Sequence, residues 1–84
     1  MHWNVKHITL QEHLVLEVTF VDGMTGRVRF LPSHLTGVFE PLKNLEFFNQ
    51  VFLEDGIVTW PNAIDLALDA MYDAIKKDGQ WILN

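Results

Sequence analysis

The segment from Val51 to Trp60 constrains this chain more than any other. Val51-Phe52-Leu53-Glu54 and Ile57-Val58-Thr59-Trp60 flank Asp55-Gly56, and an Asp-Gly pair between two apolar runs favours a two-residue type I′ turn. Pairing across that turn sets Val51 opposite Trp60 and Leu53 opposite Val58, on one apolar face. Pro61 then ends the second strand, because it offers no N–H to the ladder.

Period-two alternation recurs upstream. Leu14, Leu16, Val18 and Phe20 alternate with Val15, Glu17 and Thr19, the pattern of a half-buried strand. Val5 to Leu10 reads as its partner across a turn at Gln11-Glu12-His13. That three-residue turn sets Leu10 opposite Leu14, Ile8 opposite Leu16 and His7 opposite Glu17. A two-residue turn would move Thr9 and His7 to the buried side, so register favours the longer one. Asp22 to Gly26 supplies two glycines for a turn, and Arg27 to Leu31 returns with Val28 and Phe30 inward. Pro32 opens a short helical turn that Gly37 can end. Asn44 is suited to cap a helical stretch over Leu45 to Gln50.

The last element is a helix that begins between Asp65 and Leu68 and runs to about Lys77. Leu68, Met71, Tyr72 and Ile75 fall on one stripe, and Lys76-Lys77 followed by Gly79 suits its end. The expected class is α+β: a small antiparallel sheet of two hairpin-like units, with the C-terminal helix packed on one face. At 84 residues, with 49% apolar and 20% charged residues, the chain is expected to form a single domain over 1–84.

Composition removes several functions. There is no Cys, hence no thiolate catalysis and no disulfide framework. Net charge is −5, and Lys6, Arg27, Arg29, Lys43, Lys76 and Lys77 are scattered, whereas nucleic-acid binding needs clustered cations. No apolar run is long enough to span a bilayer, and Met1-His2-Trp3-Asn4 lacks a signal-peptide pattern. Direct nucleic-acid and membrane binding are therefore not expected, and the expected location is cytoplasmic.

Taken in order, Leu16-x-Val18-x-Phe20-x-Asp22-Gly23-x-x-Gly26, Phe39-x-Pro41-Leu42, Phe47-Phe48-x-x-Val51, Val58-x-Trp60-Pro61-Asn62-x-x-Asp65-Leu66 and Met71-Tyr72 resemble the small bacterial domain-of-unknown-function family 2442. The resemblance runs from Val5 to Tyr72 and leaves the tail, residues 79–84, outside. Ala63 stands where the family commonly has Gly, and Leu68 where it often has Pro. The resemblance implies a small α+β unit, often encoded beside another small protein in a toxin–antitoxin-like arrangement. It brings no catalytic residues and no cofactor.

Other residues invite chemistry and have simpler readings. His2, His7, His13 and His34 show no helical ligand spacing, so surface histidines paired with carboxylates are expected and no metal site is. Ser33 and His34 are adjacent, and neighbouring side chains diverge, which argues against a nucleophile and its base. Asp65, Asp69 and Asp73 read as the wet face of the helix. Trp60, Pro61, Asn62 and Asp65 form the loop to watch. Its structural reading has Trp60 in the core and Asn62 and Asp65 satisfying amides at the helix entrance. Its functional reading is a binding contact. Trp81, Ile82 and Leu83 should be buried, either in the chain's own core or at an interface. A two-fold dimer is favoured because the resemblance stops before them.

The leading expectation is a non-enzymatic protein–protein interaction module, antitoxin-like, with a protein partner encoded by a neighbouring gene or a second copy of itself. Two alternatives stand beside it. One is a small-ligand-binding domain or enzyme using the loop from Trp60 to Asp65. The other is a DNA-regulatory accessory acting through a separate DNA-binding chain.

Overall fold

In the computed structural model, which describes residues 3–84, β1 (Val5–Glu12), β2 (Val15–Phe20) and β3 (Thr25–Phe30) form an antiparallel meander. Short 3₁₀ turns at Pro32–His34 and Gly37–Lys43 lead to α1 (Leu45–Phe48). Then come β4 (Phe52–Glu54), β5 (Ile57–Trp60), β6 (Ile64–Asp65), α2 (Leu68–Asp78) and β7 (Gln80–Leu83). One sheet has the order β1-β2-β3-β7 and the other β4-β5-β6. The α+β class, the antiparallel hairpins and the C-terminal helix are as the patterns predict. The parallel pairing of β7 with β3 and the small third strand β6 are additions.

The Asp-Gly hairpin has the expected register, with Leu53 opposite Val58 and Glu54 opposite Ile57. Asp55 and Gly56 both lie at positive φ, 52° and 82°, as a type I′ turn requires. The first hairpin differs. Leu10 faces Leu16, Ile8 faces Val18, and His7 faces Thr19 rather than Glu17. The turn is the two residues His13-Leu14, with Leu14 at φ 69°. Two residues of β1 step past one of β2 between Leu10 and Glu12. This bulge absorbs Gln11 and restores the parity that a short turn would otherwise have reversed. A second register shift lies between Val5 and His7.

Leu16, Val18, Phe20, Val28 and Phe30 line the inner face of the larger sheet, all at or below 2% exposure. Trp60 is fully buried, and its indole N–H donates to the Phe48 carbonyl at 2.8 Å. Its ring meets Phe30 and Phe48 at centroid distances of 5.9 and 5.7 Å. Strand β3, α1 and β5 are thus joined by one aromatic cluster. Helix α2 buries Met71 and Ile75. It approaches β3 so closely that a Cβ on Gly26 would sit 2.4 Å from Ile75 Cγ2 and 2.8 Å from the Gly79 carbonyl. Gly37 opens the second 3₁₀ turn instead of ending the first, at φ 58°. Asn44 caps α1 as expected, accepting the Phe47 N–H at 2.9 Å.

Candidate functional site

The loop from Trp60 to Asp65 divides into a buried and an exposed part. Trp60 belongs to the core. Pro61, Asn62 and Ala63 form the turn into β6, with Asn62 and Ala63 at φ 72° and 59°. Neither Asn62 nor Asp65 caps the helix: α2 starts after Ala67 with no side-chain cap. Asp65 instead sits opposite Thr59 across the β5–β6 ladder. The Thr59 hydroxyl, on a residue 3% exposed, donates to the Asp65 carboxylate. A charge-assisted bond of this kind is stronger than a neutral one and orients the acceptor.

The tail residues also part company. Leu83 is buried and Trp81 half-buried, so these two extend the inner face next to Phe30 and Val28. Ile82 stands on the other face at 44% exposure, unlike the burial expected of all three. The cause is strand alternation: in a strand, neighbouring side chains cannot both reach the core.

One cleft gathers residues from both regions. Asp65, the last residue of β6, and Leu66 after it line this cleft with Trp81 and Leu83 of β7 and with His34 and Phe39 from the 3₁₀ turns. Its volume is about 230 Å³. His34 and Phe39 lie with ring centroids 4.8 Å apart, so the far wall is aromatic. The sequence signals for Asp65, Trp81 and Leu83 were separate ones. Phe39 and His34 carried no sign that they would join them, because only the return of β7 beside β3 brings the turns to this place.

Two histidines, His13 and His34, take roles other than carboxylate pairing. His13 Nε2 lies 3.1 Å from the Leu42 carbonyl, and its ring meets Phe48 edge-on at 5.6 Å. His34 packs on Phe39 and Phe30. His2 is outside the described residues. Among the described residues, no three of His, Cys, Asp and Glu come together as metal ligands, and no helix is long and apolar enough to cross a membrane.

Helix α2 is tied to the β2–β3 turn by Tyr72, whose hydroxyl donates to Asp22 Oδ2 at 2.5 Å. Asp22 Oδ1 accepts the Met24 N–H at 2.9 Å. The Tyr72 phenol is held above its ordinary pKa, first by this bond, then by partial desolvation and by the negative charges of Asp22 and Asp73. These groups are on the surface and act as a clasp between turn and helix.

These features describe a small α+β domain with two sheets, a clasped C-terminal helix and a cleft beside a terminal parallel strand. The chain belongs to the family described as protein of unknown function (DUF2442), whose model matches residues 5–77. No curated protein and no solved structure matches it. The matched span ends before β7, so the strand that supplies Trp81 and Leu83 to the cleft lies outside it.

Proposed function

We propose that this domain is a non-enzymatic protein–protein interaction module that receives an extended segment of a partner protein along the outer edge of β7. The observation that supports it is the character of that edge. Gly79 and Leu83 direct their carbonyls to β3, accepting from Arg27 and Leu31 at 3.3 and 2.8 Å. By the alternation of a strand, Trp81 faces β3 as well, while the N–H and C=O of Gln80 and Ile82 point outward. Among the described residues no strand pairs with that side. An added strand gains affinity from such main-chain groups and specificity from clefts beside them. A cleft of about 440 Å³ lined by Ala74, Asp78 and Ile82 flanks one end of β7, and the cleft at Asp65 the other.

The partner is the product of a neighbouring gene, with this domain as the antitoxin-like member of the pair, in the cytoplasm. A symmetric pairing of two copies is the second reading, because strand parity permits it. With Ile82 opposite Ile82 across a two-fold axis, Trp81 faces Leu83 of the other copy and both cores stay on one side. Four paired residues are a short interface, since stable complexes bury upward of about 1,000 Å². A segment that continues into the flanking clefts covers more.

The test uses Ile82→Pro, which removes an outward N–H and leaves the β3–β7 ladder its donors. Tagged protein from the native cell is expected to retain one stoichiometric polypeptide, and Ile82→Pro to reduce its recovery at least tenfold without loss of fold. Equal recovery, or no stoichiometric polypeptide, rejects the reading. Sedimentation of the purified chain separates a second copy from a different partner.

A further inference from the structure

We infer that the partner segment carries a glutamate opposite Ile82, held by Arg29 on the outer face of the larger sheet, between two apolar residues that turn to the inner face. This rests on the edge-strand reading and names the pattern that the edge selects. Strand parity supplies the frame. Residues paired across a ladder point to the same face, so Val15, Arg29 and Ile82 form one row across β2, β3 and β7, and Glu17, Arg27 and Gln80 the next. A strand added along β7 extends these rows by one residue each, whichever way it runs. The residue opposite Ile82 joins the row of Arg29, and its two neighbours turn to the inner face beside Trp81 and Leu83.

The two rows differ electrostatically. Arg27 already has Glu17 across from it, and Asp78 lines the cleft that reaches Gln80. A further carboxylate in that row would meet both. Arg29 is exposed and stands between Val15 and Ile82, both apolar. Among the described residues its guanidinium has no ion pair and no hydrogen bond. About 9.5 Å separates β3 from the added strand across β7, a span that arginine and glutamate side chains cover together while the Glu methylenes rest on Ile82. A guanidinium presents a fork of donors that a carboxylate fills. On a chain of net charge −5, this row is where the local field favours an acidic side chain. The inner side asks for the opposite. There Leu66, Ala67, Trp81 and Leu83 border the space of about 230 Å³, and the Asp65 carboxylate is engaged by Thr59. A second copy of the chain paired through Ile82 would bring no carboxylate to Arg29, so the pattern points to a different protein.

The experiment is selection of a displayed library of random peptides, about nine residues long, on the immobilised full chain. Glu should be enriched about threefold or more over the input at a position flanked on both sides by apolar residues. Arg29→Gln should abolish that enrichment, and Arg29→Glu should replace Glu there by Lys or Arg. Arg29 is exposed, so both variants should fold. Arg27→Gln should leave the enrichment unchanged, because Glu17 and Asp78 keep a carboxylate out of that row. Ile82→Pro should reduce recovery of the selected peptides at least tenfold. Peptides that depend on the Ile82 edge but show no Glu preference, or a preference that survives Arg29→Gln, overturn the inference and leave the edge reading intact. Peptides that Ile82→Pro leaves equally well recovered overturn the edge reading and this one with it. Failure to select any peptide also overturns the inference, and recovery of the native partner still decides the edge.

Discussion

The two edges of the larger sheet are protected in different ways. Strand β1 is eight residues long and would offer a long template for another chain, but its register shifts twice against β2. Its entrance is also tied to the second sheet, where the Val5 N–H donates to the Gly56 carbonyl at 2.9 Å. Bulges, charges and cover are the usual means of blunting an edge, and β1 has Lys6 and Glu12 besides. Strand β7 is four residues, Gln80-Trp81-Ile82-Leu83, regular in register and without charge. Its shortness is its main protection. One edge is closed by construction and the other is left available, and that difference is why the interaction is assigned to β7.

The largest effect should come from removing the open edge altogether. Truncation after Gly79 deletes the burial of Leu83 and half of Trp81 and leaves the Leu31 N–H without its partner. At about 1.5–3 kcal/mol per large side chain fully buried, less the ordering entropy regained, the loss should be about 2–4 kcal/mol in urea denaturation. A loss below about 1 kcal/mol would show β7 to be an appendage and the contrast between the edges to be empty.

The closed edge is tested at Gly56. Its φ of 82° already disfavours a side chain, and a Cβ there would lie 2.8 Å from Asn4 Cβ. Gly23 has φ 92° with nothing within 4 Å. Gly23→Ala should cost about 1 kcal/mol for conformation alone, and Gly56→Ala about 2 kcal/mol or more, because Asn4 must shift as well. The difference between the two denaturation midpoints measures how firmly the entrance of β1 is held against the hairpin. Equal midpoints would leave β1 no better secured than β7.

The legible parts of the fold were those whose signals are local. Asp55-Gly56 between alternating residues announced both the turn and its register, and the stripe from Leu68 to Ile75 announced α2. The β1–β2 hairpin was misregistered because a bulge spends one residue, Gln11, without changing the alternation on either side. Strand β6 is two residues long and carries no period. The parallel pairing of β7 depends on the whole path from β3 through the second sheet and α2, which no window of Gln80 to Leu83 contains. The cleft shares that fate. Asp65 and Trp81 each stood out singly, and only the tertiary path makes them neighbours of Phe39.

The Tyr72–Asp22 clasp fixes α2, and through it the position from which β7 departs. Because the folded chain holds the Tyr72 proton more tightly than the unfolded one, stability from this group is fully present below the unfolded pKa of 10.0. It should fall as pH rises through 10 and level off once Tyr72 ionises in the folded state as well. The measurement is denaturation midpoint against pH for wild type and Tyr72→Phe. The alkaline decline should be shallower in the variant, and parallel curves would show that the clasp contributes nothing to the side of the molecule that carries β7.

The smallest effect should be a gain, at the turn that delivers Asp65 to the cleft beside β7. Ala63 sits at φ 59° directly after Asn62 at 72°. Asn tolerates that region through its short polar side chain, whereas the Ala Cβ crowds the following carbonyl oxygen. The resemblance noted above places Gly at this position, and a left-handed residue is the physical reason for it. Ala63 is exposed, so Ala63→Gly loses little packing. It relieves the conformation at some cost in unfolded-chain entropy. The net should be a stabilisation of about 0.5 kcal/mol, read as a small rise in denaturation midpoint. If Ala63→Gly destabilises the chain, the turn does not hold its left-handed conformation in solution. The path that carries Asp65 to the β7 side would then need to be redrawn.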